Sequence, residues 1–276
     1  MSTIIDTHTH LYDIPDLAEA LCLSSGSGVS DIVALGVDYK SNVRHIELAS
    51  QSLGHIPNSN GAFGTCPRLY LAFGIHPGNI ISDEIEKCFL FFREVLSQLS
   101  PSPLWGGSGR GERCPIVAIG ECGLDFSYKS VAGNEAKKTE QCAVFQRQLD
   151  LAKEFDLPVV IHSRGAERIC LDMTLKAGIK KANFHWYSGP DEVLKDILDA
   201  GFMMSVSPAL EYSVDVRRVA AWVPLDRILV ETDTPVRGWI PKDVWRTLDA
   251  LCSLKKLDKD LALDIVNANA RGFFNI

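Results

Sequence analysis

Short apolar runs recur along the chain, and most of them stop at a histidine or a carboxylate. The first is Ile4-Ile5, which leads through Asp6 and Thr7 into His8-Thr9-His10. Others cover positions 31–37 (DIVALGV), 69–75 (LYLAFGI), 115–120 (PIVAIG), 157–161 (LPVVI), 181–184, 202–206 and 226–230 (DRILV). Runs this continuously apolar suit parallel strands buried on both faces. Between them, apolar residues recur at helical spacing at 15–23, 42–53, 83–99, 139–155, 166–177, 191–200, 214–222, 241–254 and 259–270. Gly178 and Gly201 stand where two of these helices should end.

Strands alternating with helices over this length predict a (β/α)8 TIM-type barrel, built as a single domain, or a doubly wound sheet. The polar residues decide for the barrel. They fall after strands one, three, four, five, six and eight, and only in a barrel do those ends converge on one mouth. No phosphate-binding glycine loop follows any strand, and the G-x-G-x-G around Gly107 follows a helix instead. Two segments break the rhythm. Positions 57–67 are polar and glycine-rich. Positions 100–113 read SPSPLWGGSGRGER where about 2–6 residues usually suffice, so 100–114 is expected to be an exposed, mobile loop insertion without a catalytic role.

The formal net charge of −7 argues against a broad basic face for duplex DNA. It leaves room for a nuclease that grips a few phosphates with metal ions and local arginines. The eight cysteines form no C-x-x-C pair, so they read as reduced, mostly buried thiols. No secretory leader and no apolar run near about 18 residues is visible, which predicts a soluble, cytoplasmic protein without a membrane partner.

Of the seven histidines only His45 and His55 lie away from strand ends. His8, His10, His76, His162 and His185 all follow apolar runs, and Glu121 and Asp233 do the same. On a strand His8 and His10 face the same way, with Asp6 on that face, so two imidazoles on one strand end can grip one ion. A mixed imidazole and carboxylate set suits Zn, Mn or Fe better than Mg or Ca. It exceeds the needs of one tetrahedral ion, so two divalent metal ions are expected, bridged by a carboxylate.

The ordered set IIDTHTHL, FGIHP, IGECGLD, LPVVIHSR, FHWYSG and ILVETDTP, with the ending Asn269-Ala270-Arg271-Gly272-Phe273-Phe274, resembles the TatD-type metal-dependent deoxyribonucleases of the amidohydrolase superfamily. The resemblance implies His8, His10, Glu121 and Asp233 at a first metal and Glu121, His162 and His185 at a second, with Glu121 bridging. It implies Asp233 as ligand and general base, so that Asp233 and Glu121 are the catalytic pair, and His76 on the substrate phosphate. Arg164, close behind His162, can clamp a phosphate oxygen. The implied reaction is hydrolysis of a DNA phosphodiester by a metal-activated water, with exonuclease action on single-stranded ends; the metals are Zn, Mn, Mg or Fe.

Other residues carry plainer expectations. Asp6 either ligates the metal or orients a histidine. Cys122 packs away from the mouth. Asp125 serves a turn or the substrate, and Phe126, Trp186, Tyr187 and Trp239 pack or stack bases. Arg217 and Arg218 lie on a solvated helix face. The sequence departs from the resembled family at Gly165, where many members have Asp, and in a shortened loop at 236–240. That loop favours a second reading, the same barrel and metals acting on an ester, amide, lactone or aminoacyl-tRNA. A third reading, of another class, is a non-catalytic metal-bound scaffold. Oligomeric state is not legible.

Overall fold

Strands form where the chain is apolar on both faces: β1 (Ile4–Thr9), β2 (Val29–Leu35), β3 (Arg68–Phe73), β4 (Ile116–Gly123), β5 (Val159–His162), β6 (Ala182–Phe184), β7 (Met203–Val206) and β8 (Ile228–Val230). Each pairs in parallel with the next, in the order β1 to β8. This computed structural model describes residues 2–52, 66–98 and 116–276. The expected loop insertion at 100–114, and the loop at 57–67 up to residue 65, lie outside the described residues. Helices run between the strands: α1 (Leu17–Gly26), α2 (Tyr39–Ser52), α3 (Ile85–Ser97), α4 (Glu135–Glu154), α5 (Glu167–Ala177), α6 (Asp191–Asp199), α7 (Val214–Trp222), α8 (Val244–Lys255) and α9 (Lys259–Phe274). The expected barrel is therefore what forms. Gly178 does end α5, in left-handed backbone at φ 75°.

Alternation along the strands sorts two cores. Ile4, Ile32, Leu71, Phe73, Ile119, Ile161 and Ile228 face the helices, in one large cluster. Ile5, Val33, Leu35, Ala72, Ala118, Val160 and Leu229 fill the barrel interior, and Ala270, Phe273 and Phe274 from the end of α9 join them. Both sides of each strand are thus out of water, which is why no polar alternation marks these strands in the sequence.

The seam between β1 and β8 is joined by side chains and one isolated bridge, Thr9 with Thr234. Asp6 accepts from the Thr232 hydroxyl at 2.7 Å and the Thr232 amide at 3.0 Å. The Thr7 hydroxyl donates to the Val230 carbonyl at 2.9 Å. Below them α9 stitches both strands: Asn267 accepts from the Ile5 amide at 3.1 Å, and Asn269 donates to the Ile228 carbonyl at 2.8 Å. Above them the His10 amide donates to the Thr234 carbonyl and the Asp233 amide to the His8 carbonyl, both at 2.9 Å. These bonds lock His8, His10 and Asp233 to one another. Asp6 belongs to none of the groups that could share a cation among the described residues; it accepts from the His8 amide at 3.4 Å and, through Thr232, ties the barrel shut.

Glycine is required where strand ends crowd together. A Cβ on Gly74 would lie 2.3 Å from the Glu121 carbonyl oxygen, and one on Gly123 would lie 2.0 Å from that of His162. Their bare backbones let β3, β4 and β5 bring Glu121 and His162 into one mouth. Among the described residues, no helix is long and apolar enough to cross a membrane.

Candidate metal centre

At the C-terminal mouth, the strand ends bring together His8, His10, His76, Glu121, His162, His185 and Asp233. Glu121 is the hub. Its Oε2 lies 3.5 Å from His8 Nε2 and 3.3 Å from His10 Nε2. Its Oε1 lies 2.9 Å from His162 Nδ1, 3.4 Å from His185 Nε2 and 3.6 Å from His76 Nε2. Asp233 Oδ1 closes the first side, 3.5 Å from His8 Nε2 and 3.3 Å from His10 Nε2. One carboxylate thus divides its two oxygens between two sets of imidazoles. Three triads have donor atoms close enough to share a cation: His8, His10 and Asp233; His8, Glu121 and His185; and His76, Glu121 and His162.

The hydrogen bonds behind each ring determine what the ring offers. His10 Nδ1 lies 3.1 Å from the Leu35 carbonyl, so Nδ1 carries the proton and Nε2 turns a lone pair inward. Asp125 Oδ2 accepts from His162 Nε2 at 2.9 Å, which leaves Nδ1 facing Glu121. Glu231 Oε1 accepts from His185 Nδ1 at 2.8 Å. Its other oxygen and His8 Nδ1 are both buried without a hydrogen-bond partner, 3.9 Å apart. A ring whose Nε2 is engaged by a cation keeps its proton on Nδ1, the side that the Glu231 carboxylate faces, so the orphaned pair fits a cation at His8. His76 is the opposite case. The Gly78 amide donates to its Nδ1 at 3.0 Å, so the neutral ring presents an N–H rather than a lone pair. Despite its place in one triad, His76 is built to donate.

Titration follows from the crowding. Burial lowers the His10, His162 and His185 pKa values, but the carboxylates outweigh it. Hydrogen bonds that the Asp233 and Glu121 carboxylates accept hold His10 well above the ordinary imidazole range. Those accepted by Asp125 and Glu121 raise His162, and the charges of Glu231 and Glu121 bring His185 to about 9. His76 is governed by burial and falls to about 4. Burial would raise Glu121 and Asp233; the surrounding histidines overcome it and keep both ionised. Asp233 and Trp186 sit in left-handed backbone, at φ 57° and 42°. Such backbone typically costs about 1–3 kcal/mol and clusters at functional sites.

Several supporting residues escape a reading by local pattern. Glu231 was legible only as the other residue of the Asp233 face, two positions earlier. Gln141 and Gln148 sit one heptad apart on the buried face of α4. Gln148 accepts from the Ile75 amide at 2.8 Å, and Gln141 accepts from the Asp125 amide at 3.0 Å. They place His76 and Asp125. A polar residue at an apolar position of a helix was the available signal.

Arg164 is not drawn into the cluster; it is exposed, and its side chain makes no hydrogen bond or ion pair among the described residues. Cys122 is buried and points to the Val160 carbonyl, as expected. Tyr187 is buried, with its hydroxyl on the Pro190 carbonyl at 2.8 Å. It packs and does not stack bases. Arg217 and Arg218 are not merely solvated: they donate to the Leu210 and Gly189 carbonyls at 3.2 and 2.8 Å.

The sequence matches the family described as TatD related DNase over residues 5–275. A zebrafish (Danio rerio) protein described as putative deoxyribonuclease tatdn3 is 32% identical over 58% of this chain, and the match spans only 62% of that relative's length. The 3'-5' ssDNA/RNA exonuclease TatD of Erwinia amylovora is 27% identical over 79% of this chain and 72% of its own. The solved structure of YjjV, a TatD homologue from Escherichia coli, superposes with a TM-score of 0.77 at 25% identity, covering 99% of this chain and 98% of that one.

Proposed function

The chain belongs to the TatD related DNase family, and on that premise we propose that it is a divalent-metal-dependent phosphodiesterase that trims single-stranded DNA ends. The observation that carries this reading is the division of Glu121 between two imidazole sets, with Asp233 flanking the first. We assign His8, His10, Glu121 and Asp233 to one ion, and Glu121, His162 and His185 to a second. When bound, such ions supply Lewis acidity, lowering the pKa of water and stabilising charge on phosphoryl oxygens. The exonuclease named in Erwinia amylovora supports a single-stranded substrate. The seven described cysteines are free thiols, which supports a reducing compartment such as the cytoplasm.

The residues then divide the chemistry. Asp233, held ionised, takes the proton of the attacking water. His76 donates a hydrogen bond from its Nε2–H to a phosphate oxygen; its depressed pKa keeps it a neutral donor at pH 7. Asp125 and Glu231 fix the rings of His162 and His185 in the tautomers that face Glu121. Arg164, which pairs with no carboxylate among the described residues, is available to a second phosphate oxygen.

End-labelled single-stranded DNA with added Mn or Mg tests the reading. Shortening of the strand should stop with chelator and return when metal is restored. Stoichiometric bound metal without any cleavage would shift the assignment to an ester, amide, lactone or aminoacyl-tRNA, the reading that the short 236–240 loop favours.

Asp125→Asn should weaken metal retention by about 10–100-fold, the usual loss when a partner behind a ligating histidine is removed. Competition with a chromophoric chelator measures it. Retention equal to wild type would reduce Asp125 to its turn, where it also accepts from the Ser127 amide at 2.9 Å.

A further inference from the structure

Beside the metal centre lies a cleft that the chemistry above leaves unused. The loop leaving Asp233 passes through left-handed backbone at Arg237 and Gly238, with φ 55° and 75°. There it borders a cleft of about 600 Å³, whose lining includes Tyr212, Arg237, Trp239 and Lys242. A volume of this order suits a small organic group. Rings connect it to the centre. His185 and Trp186 have centroids 6.2 Å apart, Trp186 and Trp239 6.3 Å, and Trp239 and Tyr212 6.4 Å. The Thr234 hydroxyl, one residue after Asp233, donates to the Trp239 carbonyl and fixes the loop between them.

The charge in this cleft is opposite to that of the chain. Arg237, Lys242 and Arg246 line it against Glu211 and Asp243, in a protein whose formal net charge is −7. Arg246 is satisfied, with Glu211 oxygens at 2.9 and 2.6 Å. Arg237 is not. Its guanidinium carbon rests 4.1 Å from the centre of the Tyr212 ring. It is otherwise exposed and makes no ion pair among the described residues. An aromatic ring therefore holds a planar cation in place while leaving its hydrogen-bond donors free. That pairing offers a base a flat surface and a phosphate a set of N–H groups.

We propose that this cleft binds the strand of a single-stranded nucleic acid next to the phosphate under attack, the Arg237 and Tyr212 pair taking a base and Arg237 with Lys242 taking a phosphate. The proposal rests on the nuclease reading of the metal centre and names where its substrate continues. It also explains why a net-acidic chain would grip a strand at all: the positive field is local to the side of the mouth.

Fluorescence anisotropy with a short 5′-fluorescein oligothymidylate tests the cleft without turnover. Arg237→Asn keeps a residue tolerant of left-handed backbone, and Tyr212→Leu probes the ring separately. Each is expected to raise Kd about tenfold, within the range for loss of one stacked base. Arg237→Asn should also reduce the slope of log Kd against log salt by about 0.7, one phosphate contact on a single strand. Wild-type Kd and salt slope in both variants, with unchanged circular dichroism, would overturn the proposal. Cleavage by the wild type is scored in parallel. A strand bound through Arg237 but never cut in the presence of metal sinks the nuclease reading and leaves the cleft standing; cutting with binding indifferent to both variants does the reverse.

Discussion

Asp233→Asn is expected to lower kcat on single-stranded DNA by about 10²–10⁴-fold, the contribution of a positioned general base. The substitution isolates charge and basicity from shape. Asparagine has nearly the same volume and, like aspartate, tolerates the left-handed backbone at φ 57°. The Asp233 amide bond to the His8 carbonyl at 2.9 Å is untouched. The fold should therefore persist, with a thermal midpoint close to wild type. What disappears is a carboxylate oxygen that faces both His8 and His10. An amide cannot accept a proton from water at neutral pH. A variant that cuts DNA within a few-fold of wild type would remove Asp233 from the role of base.

Glu121→Gln should be at least as damaging, and in a different way. Glu121 divides its two carboxylate oxygens between the two imidazole sets. An amide offers one weak ligand oxygen in place of two charged ones. Losing one ion removes several kcal/mol of transition-state stabilisation, and about 4 kcal/mol is about 10³ in rate. Elemental analysis after dialysis should show metal content fall together with kcat. Full metal content with normal turnover would exclude the bridging role. The wild-type protein adds a check by pH. His10, His162 and His185 have raised pKa values, His185 to about 9. Without a cation His185 is largely protonated at pH 7, the upward shifts of His10 and His162 favour their protonated rings, and a metal must displace those protons. Metal affinity should therefore rise between pH 6 and 8, with protons released on binding. Titration calorimetry in buffers of different ionisation enthalpy reads that release directly, and binding independent of pH would contradict it.

The sequence by itself determined the barrel and the chemical identity of its mouth. A strand buried on both faces is apolar at most positions, so the strands are visible as runs without reference to any partner. Where such a run ends on His10, His76, Glu121, His162, His185 or Asp233, the side chain has to lie at a strand end, and a barrel gathers those ends. Only the tertiary structure decided what each side chain does there. The proton positions on His10 and His76 depend on the Leu35 carbonyl and the Gly78 amide. Asp6 closes the barrel because Thr232, 226 residues away in the chain, gives it two donors. Glu231 supports His185 across 46 residues, and Arg237 becomes a platform only because Tyr212 lies beneath it. Apolar burial is a property of each residue along its own strand and can be read locally; a hydrogen bond needs a second group at a defined distance, and that distance exists only once the chain has folded.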